Sequence, residues 1–249
     1  MLLVLRLVLV PLLIAAVTLA ARRWGHRVGA FVTALPAVAG PTLAFYAVEQ
    51  GDAFAADAAR ASLLGLVGVA GFCLVYAHAS TRLHWTMSLL LGWSSFAIVT
   101  VAMYGLRVGP IAAFAMAVAV LCAARALLPP HGPLSPASGA PRWDLPLRML
   151  SAGALVFSLT AAAERLGSSI SGILTPFPVA TAILAGFTHA QRGSAACIQF
   201  LRTYTPGLCG FAVFCMTLAL TLTRLPTAWS FAAALAMQLI LQLALFRRL

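Results

Sequence analysis

Apolar runs of membrane-spanning length fill most of the chain, and short basic or polar clusters separate them. The first runs from Leu2 to Ala21 and is closed by Arg22 and Arg23. With about 20 residues needed per helical crossing, further spans are predicted near Val28 to Val48, Phe54 to Ser80, Thr86 to Tyr104 and Gly109 to Leu128. Four more follow near Leu147 to Ala163, Ile170 to Ala190, Ala196 to Leu222 and Ala228 to Phe246. The third run exceeds what a bilayer requires, so its opening turns, which carry Arg60, are expected at the interface. Pro129 to Pro146 holds six prolines and is expected to be an extended connector without helix. The opening run does not read as a secretory signal, because its charge cluster follows the apolar stretch instead of preceding it.

One span is interrupted, and its pattern occurs twice. Gly29 to Gly51 contains Pro36 and the pair Gly40-Pro41, and a shift of 142 residues lays it on Ser171 to Gly193 without a gap. Thr33 then meets Thr175, Pro36 meets Pro178, Phe45 meets Phe187 and Gly51 meets Gly193. The same offset pairs Arg6 with Arg148, Arg23 with Arg165, Arg60 with Arg202, Gly65 with Gly207, Gly68 with Gly210, and Thr81-Arg82-Leu83 with Thr223-Arg224-Leu225. Residues 1–107 and 143–249 each carry seven Arg and four of them coincide, which random placement would not give.

The fold expected is therefore an all-α integral membrane protein of about nine transmembrane helices. Residues 1–107 form a first four-helix repeat, 108–142 a linking helix with the Pro-rich connector, and 143–249 a second repeat. The odd helix between them inverts the second repeat relative to the first. Loop charge agrees: Glu49 to Arg60 carries three acids and one Arg, whereas Gln191 to Arg202 carries two Arg and no acid. The positive-inside rule assigns the loops after spans one, three, five and seven to the cytoplasm, together with Arg247 and Arg248, and leaves the N-terminus outside. Arg82 and Arg224, equivalent yet on opposite faces, run against that pattern.

Composition adds the solvent. With 62% hydrophobic and 8% charged residues and a mean hydropathy of +1.00, the chain lacks the polar surface of a water-soluble domain. Its partner is the lipid bilayer. The net charge of +11, all of it from Arg, sits at helix ends, so no nucleic acid is expected. Cys73, Cys122, Cys197, Cys209 and Cys215 are odd in number and fit neither a disulfide framework nor a zinc pattern; they read as packing residues. Glu49, Asp52, Asp57, Asp144 and Glu164 all lie near predicted loops, and no nucleophile, phosphate-loop or metal-ligand motif occurs. No enzyme, cofactor or metal is expected.

The broken spans carry the candidate chemistry. Proline removes a donor and frees a carbonyl, and hydrocarbon tolerates freed backbone groups only against protein or a cavity. Pro36 and Pro178 with Gly40 and Pro41 would place such groups near the midplane, where repeat-built transporters hold substrate. Thr33, Thr42, Thr175 and Thr181 lie within two turns and offer hydroxyls; the alternative is that each bonds its own helix. Arg60 and Arg202 read either as sites for an anionic headgroup or carboxylate or as residues snorkelling to lipid phosphates. Arg6 and Arg148 read as interface anchors. Glu49 and His189, at corresponding ends of the two broken spans, are candidates for proton coupling, and Gln238 and Gln242 for bonds between helices.

Each half resembles the small four-helix inner-membrane proteins of the GlpM type, and a related family of short bacterial membrane proteins with a Gly-rich, Leu-Pro-containing second helix. The residues that carry the resemblance are Gly172 to Phe187, Gln191 to Gly193 and Gly207 to Phe214 in the second half. In the first they are Gly29 to Leu43, Tyr46, Glu49, Gly51 and Asp52. The resemblance implies a bacterial inner-membrane location and a single-half ancestor that paired with an inverted copy of itself; it implies no substrate. Two functions follow as expectations. One is a secondary carrier whose two proline-broken helices line a midplane site for a small, anionic or lipid-linked substrate. The other is a non-transporting scaffold for an envelope assembly system, acting as a homo-oligomer or with a partner protein.

Overall fold

A computed structural model of the chain describes residues 2–103, 105–133, 141, 143–166 and 177–248, and every element among them is helical. The helices are α1 (Leu2–Trp24), α2 (His26–Thr33), α3 (Ala39–Gln50), α4 (Asp52–Ser80), α5 (Trp85–Met103), α6 (Pro110–Leu127), α7 (Asp144–Leu166), α8 (Val179–Thr221) and α9 (Thr227–Arg248). Five of them, α4, α5, α6, α8 and α9, are long and apolar enough to cross a membrane.

The predicted second span is two helices. Pro36 lacks the N–H that would continue the ladder, the Leu35 amide turns back to Val32 O at 3.2 Å, and the chain restarts only when Gly40 N reaches Pro36 O at 2.7 Å. Pro41 falls in the first turn of α3, where its missing donor costs nothing. The predicted seventh and eighth spans are joined in α8, whose arms 179–192 and 194–221 meet at Gly193 with φ 78° and ψ 176°. Gly51, between α3 and α4, has φ 90° and ψ 162°. Both conformations are nearly exclusive to glycine, and the two positions are 142 residues apart. The Pro-rich connector differs from expectation at its end: α7 already begins at Asp144. Pro146 lies in the first helical turn, which makes no demand on its nitrogen, and the Asp144 carboxylate suits the positive end of the helix.

α4 and the second arm of α8 are the interior pair. Leu63, Phe72 and Tyr76 of α4 and Leu201, Phe214 and Leu218 of α8 are fully buried. Close crossing depends on glycine. A Cβ on Gly68 would stand 2.7 Å from Thr100 Oγ1 and 3.0 Å from the Phe96 ring of α5. One on Gly210 would touch Gln238 and Gln242 of α9. Positions 68 and 210, 96 and 238, and 100 and 242 each differ by 142, so both α4–α5 and α8–α9 cross through equivalent residues.

Polar contacts gather at the two ends of the bundle. At the first end Arg22 of α1 meets Asp144 of α7 at 2.6 Å, and Arg202 donates to Leu128 O after α6 at 2.6 Å. At the second end Arg60 donates to Val108 O before α6 at 3.3 Å, and Thr227 of α9 donates to Asp52 of α4 at 2.9 Å.

Candidate functional site at the two chain breaks

Each break is docked into helices of the opposite half. At the first, Ala34 packs where α8 has Gly207, whose Cβ, if present, would lie 2.6 Å from the Ala34 Cβ. The Ala34 carbonyl accepts from Gln238 Nε2 of α9 at 3.0 Å, and the same amide reaches Gln242 Oε1 at 3.3 Å. Gln238 is fully buried and its Oε1 has no partner among the described residues. Such an orphan costs about 1–3 kcal/mol in desolvation. Pro36 and Gly40 are buried beside it, with Phe214 of α8 3.7 Å from where a Gly40 Cβ would stand. Pro41 is exposed. Thr33 and Thr42 are buried, and each donates to its own helix, to Gly29 O at 2.7 Å and to Val38 O at 2.8 Å.

At the second break Pro178 takes φ −79° and ψ 60°, and the Val179 amide bonds Phe177 O at 2.8 Å. This is an inverse γ-turn. It aims Phe177 into the first half, where its ring meets Phe96 at 5.4 Å and Trp93 at 5.6 Å. Here too buried polar atoms stand without partners among the described residues, namely Trp93 Nε1 and Thr100 Oγ1. Pro178 is buried, and Thr181, also buried, donates to the Tyr204 hydroxyl at 2.8 Å. Thr175 lies outside the described residues.

A polar cluster between α4 and α8 leads outward from Thr181 and Tyr204. Tyr76 meets His189 Nδ1 at 3.3 Å, and Cys73, Cys197 and Thr205 lie close by, the Thr205 hydroxyl donating to Leu201 O at 2.8 Å. Tyr76, Cys73 and Cys197 are buried, and His189 is half-buried. The first half has no such cluster: the positions 142 residues before Thr181, His189, Cys197 and Thr205 are Ala39, Ala47, Ala55 and Leu63. These four side chains of the cluster therefore have no polar counterparts at the 142 offset.

The charged candidates are not at the breaks. Arg60 and Arg202 sit at opposite ends of α6, the first also paired with Asp57 at 2.8 Å and the second also donating to Pro129 O at 3.3 Å. Glu49 is exposed in the last turn of α3. Arg148 corrects the expectation of a simple interface anchor. It is buried, paired with Asp144 at 2.8 Å, bonded to Gln191 Oε1 at 3.2 Å and stacked 4.9 Å above the Phe187 ring. Gln191 Nε2 also donates to Asp144, which is 1% exposed and takes Arg22 as its third partner. Burial alone would raise the Asp144 pKa, but hydrogen bonds from Arg148, Gln191 and Arg22 and the charge of Arg148 hold it below the ordinary carboxylate value.

Sequence reasoning missed Tyr76, Tyr204, Trp93 and Thr100, and took Asp144 for a loop acid. One signal was available for Tyr76 and Tyr204: their counterparts at the 142 offset, Leu218 and Ser62, differ in kind, where packing positions such as Phe72 and Phe214 agree. No protein-family model, no curated protein and no solved structure matches this chain.

Proposed function

We propose that the chain is a secondary carrier of the bacterial inner membrane, built of two inverted GlpM-type halves that move around the docked breaks. The observation that carries this reading is the exchange at the breaks. Each broken segment is held by the other half, beside buried polar atoms that have no partner among the described residues, so that relative movement of the halves opens both breaks together. A solute or water entering there satisfies Gln238 Oε1, Trp93 Nε1 and Thr100 Oγ1. Freed backbone and side-chain polar groups at midspan are how repeat-built carriers hold substrate. Thr33, Thr42, Thr181 and the Pro36, Gly40, Pro41 and Pro178 segments then line the path. His189 with Tyr76, and Glu49 at the second end, supply the groups for proton coupling.

Inversion has support of its own. Arg60 and Arg202 are equivalent by the offset, yet they hold opposite ends of α6, about 27 Å apart at 1.5 Å per residue. Charge divides the same way. The first end has Arg22, Arg23, Arg27, Arg82, Arg125, Arg148, Arg192, Arg202, Arg247 and Arg248 against Asp144 alone. The second end has Arg6, Arg60, Arg107, Arg165 and Arg224 against Glu49, Asp52, Asp57 and Glu164. That asymmetry supports a cytoplasmic first end and an N-terminus outside.

Single cysteines at Thr33 and Thr181 in an otherwise Cys-free chain test the reading, with a membrane-impermeant thiol reagent applied from each side. A carrier is expected to be labelled at both positions from both sides, while controls at the exposed Arg23 and Val48 react from one side each. The scaffold reading has one observation in its favour, the commitment of Thr33 and Thr42 to their own helices. It forecasts controls that react and break positions that never do, and that outcome defeats the carrier.

A further inference from the structure

At the first end α4, α5 and α6 leave a groove of about 690 Å³, walled by Leu74, Val75, Ala79, Leu83, Leu91 and Leu127. The guanidinium of Arg82 stands at the same groove, with His78 beside it. Arg82 is exposed in the turn after α4, and its guanidinium has neither an ion pair nor a hydrogen bond among the described residues. His78 is held at the groove by its Nδ1, which donates to Leu74 O at 3.0 Å. Leu83, Leu91 and Leu127 are each more than 40% exposed, so the wall is open to the acyl region of the bilayer.

We propose that this groove binds one anionic glycerophospholipid, its phosphate on Arg82 and an acyl chain along the leucine wall. Charge chooses the occupant. An unpaired guanidinium at a helix end accepts a phosphate through two parallel N–H donors, and basic pockets between membrane helices favour anionic headgroups over zwitterionic ones. No carboxylate competes nearby: Asp144, the acid of this end, is buried among Arg22, Arg148 and Gln191. Apolar walls of this size match a lipid chain and offer nothing to a free anion. The second end does not repeat the arrangement. Arg224 occupies the equivalent turn, but the position of His78 is taken there by Leu220, and that of Ala79 by Thr221. This site is independent of whether the chain transports.

The test uses the purified full chain in phosphatidylcholine nanodiscs, titrated with phosphatidylglycerol, with retained lipid counted by native mass spectrometry. Arg82→Ala is expected to weaken phosphatidylglycerol retention roughly fivefold, the effect of one basic group at a membrane surface, while Arg224→Ala leaves it unchanged. Ala79→Phe, which fills the groove without altering charge, is expected to lower retention as well, and Arg82→Lys to keep most of it. Helix content by circular dichroism verifies that each variant is folded. Equal losses for the Arg82 and Arg224 variants would mean unspecific attraction to the basic residues and overturn the site. So would equal retention of phosphatidylcholine, or displacement of the lipid by glycerol phosphate alone, which would make the occupant a soluble phosphate.

Discussion

Asp144 shows how much one side chain can hold. It ties α1, α7 and the first arm of α8 through Arg22, Arg148 and Gln191. Replacing it with Asn leaves Arg148 buried and unpaired, a loss of about 3–5 kcal/mol for a broken buried pair. Asp144→Asn is therefore expected to lower the unfolding temperature well beyond what an exposed charge change does. The double change Asp144→Leu with Arg148→Met removes the stranded charge and is expected to recover most of the loss. The pH dependence has a definite sign. Because the folded carboxyl titrates below its ordinary value near 4, its stabilisation is complete above that value and disappears as pH falls through the depressed one. Wild type and Asp144→Asn should therefore differ most at neutral pH and converge in acid, as thermal unfolding from pH 7 to pH 3 would register. If the gap is unchanged across that range, the network contributes nothing through the Asp144 charge.

At the scale of elements, proline alone does not determine a break. Pro11 and Pro206 lie inside continuous helices, whereas Pro36 stands in the gap between α2 and α3 and Pro178 just before α8 begins. What differs is the far partner. Gln238 takes up the Ala34 carbonyl and Gly207 makes room for its methyl group, while Trp93 and Phe96 receive Phe177. The sequence displayed the two prolines and the two glycines at one offset, and so the places of interruption were legible. It did not display which helix each break meets, because those contacts join residues far apart in the chain, from about 80 positions at the second break to about 200 at the first. The Ala34–Gly207 contact can be tested by moving one methyl group across it. Gly207→Ala is expected to destabilise by about 1–3 kcal/mol through overpacking, since two Cβ atoms cannot stand 2.6 Å apart. Adding Ala34→Gly is expected to restore stability in a double-mutant cycle. No recovery in the double variant would mean that Ala34 and Gly207 do not share this contact.

For the whole molecule, hydrophobic runs predicted α4, α5, α6 and α9 to within two residues at each end. The length of an apolar run carries that information directly. The candidate site was read less well. Sequence placed Thr33, Thr42 and Thr181 beside the breaks, where they lie, but took Arg60 and Arg202 as candidates for the same substrate site, whereas they hold the ends of α6. A charge near a broken helix in sequence is a helix length from its centre in space. The asymmetric cluster of Tyr76, Cys197, His189 and Tyr204 depends on α4 meeting α8 across the duplication, which no local pattern encodes. Together these features describe an all-helical bundle in which five of the described helices are long and apolar enough to cross a membrane, with the Asp144 network at its first end.

The measurement that tests this account most directly is a pair of spin-label distances in the full chain in nanodiscs, one across each end. Labels at Arg23 and Arg192 span the halves at the first end, and labels at Val48 and Arg224 span them at the second; all four positions are exposed. Alternating access predicts two distance populations in each pair, with conditions that lengthen one pair shortening the other; Asp144→Asn, which unties the first end, should favour the long distance there. A single narrow distance in both pairs, unmoved by pH and by that substitution, would contradict the carrier and leave a rigid scaffold.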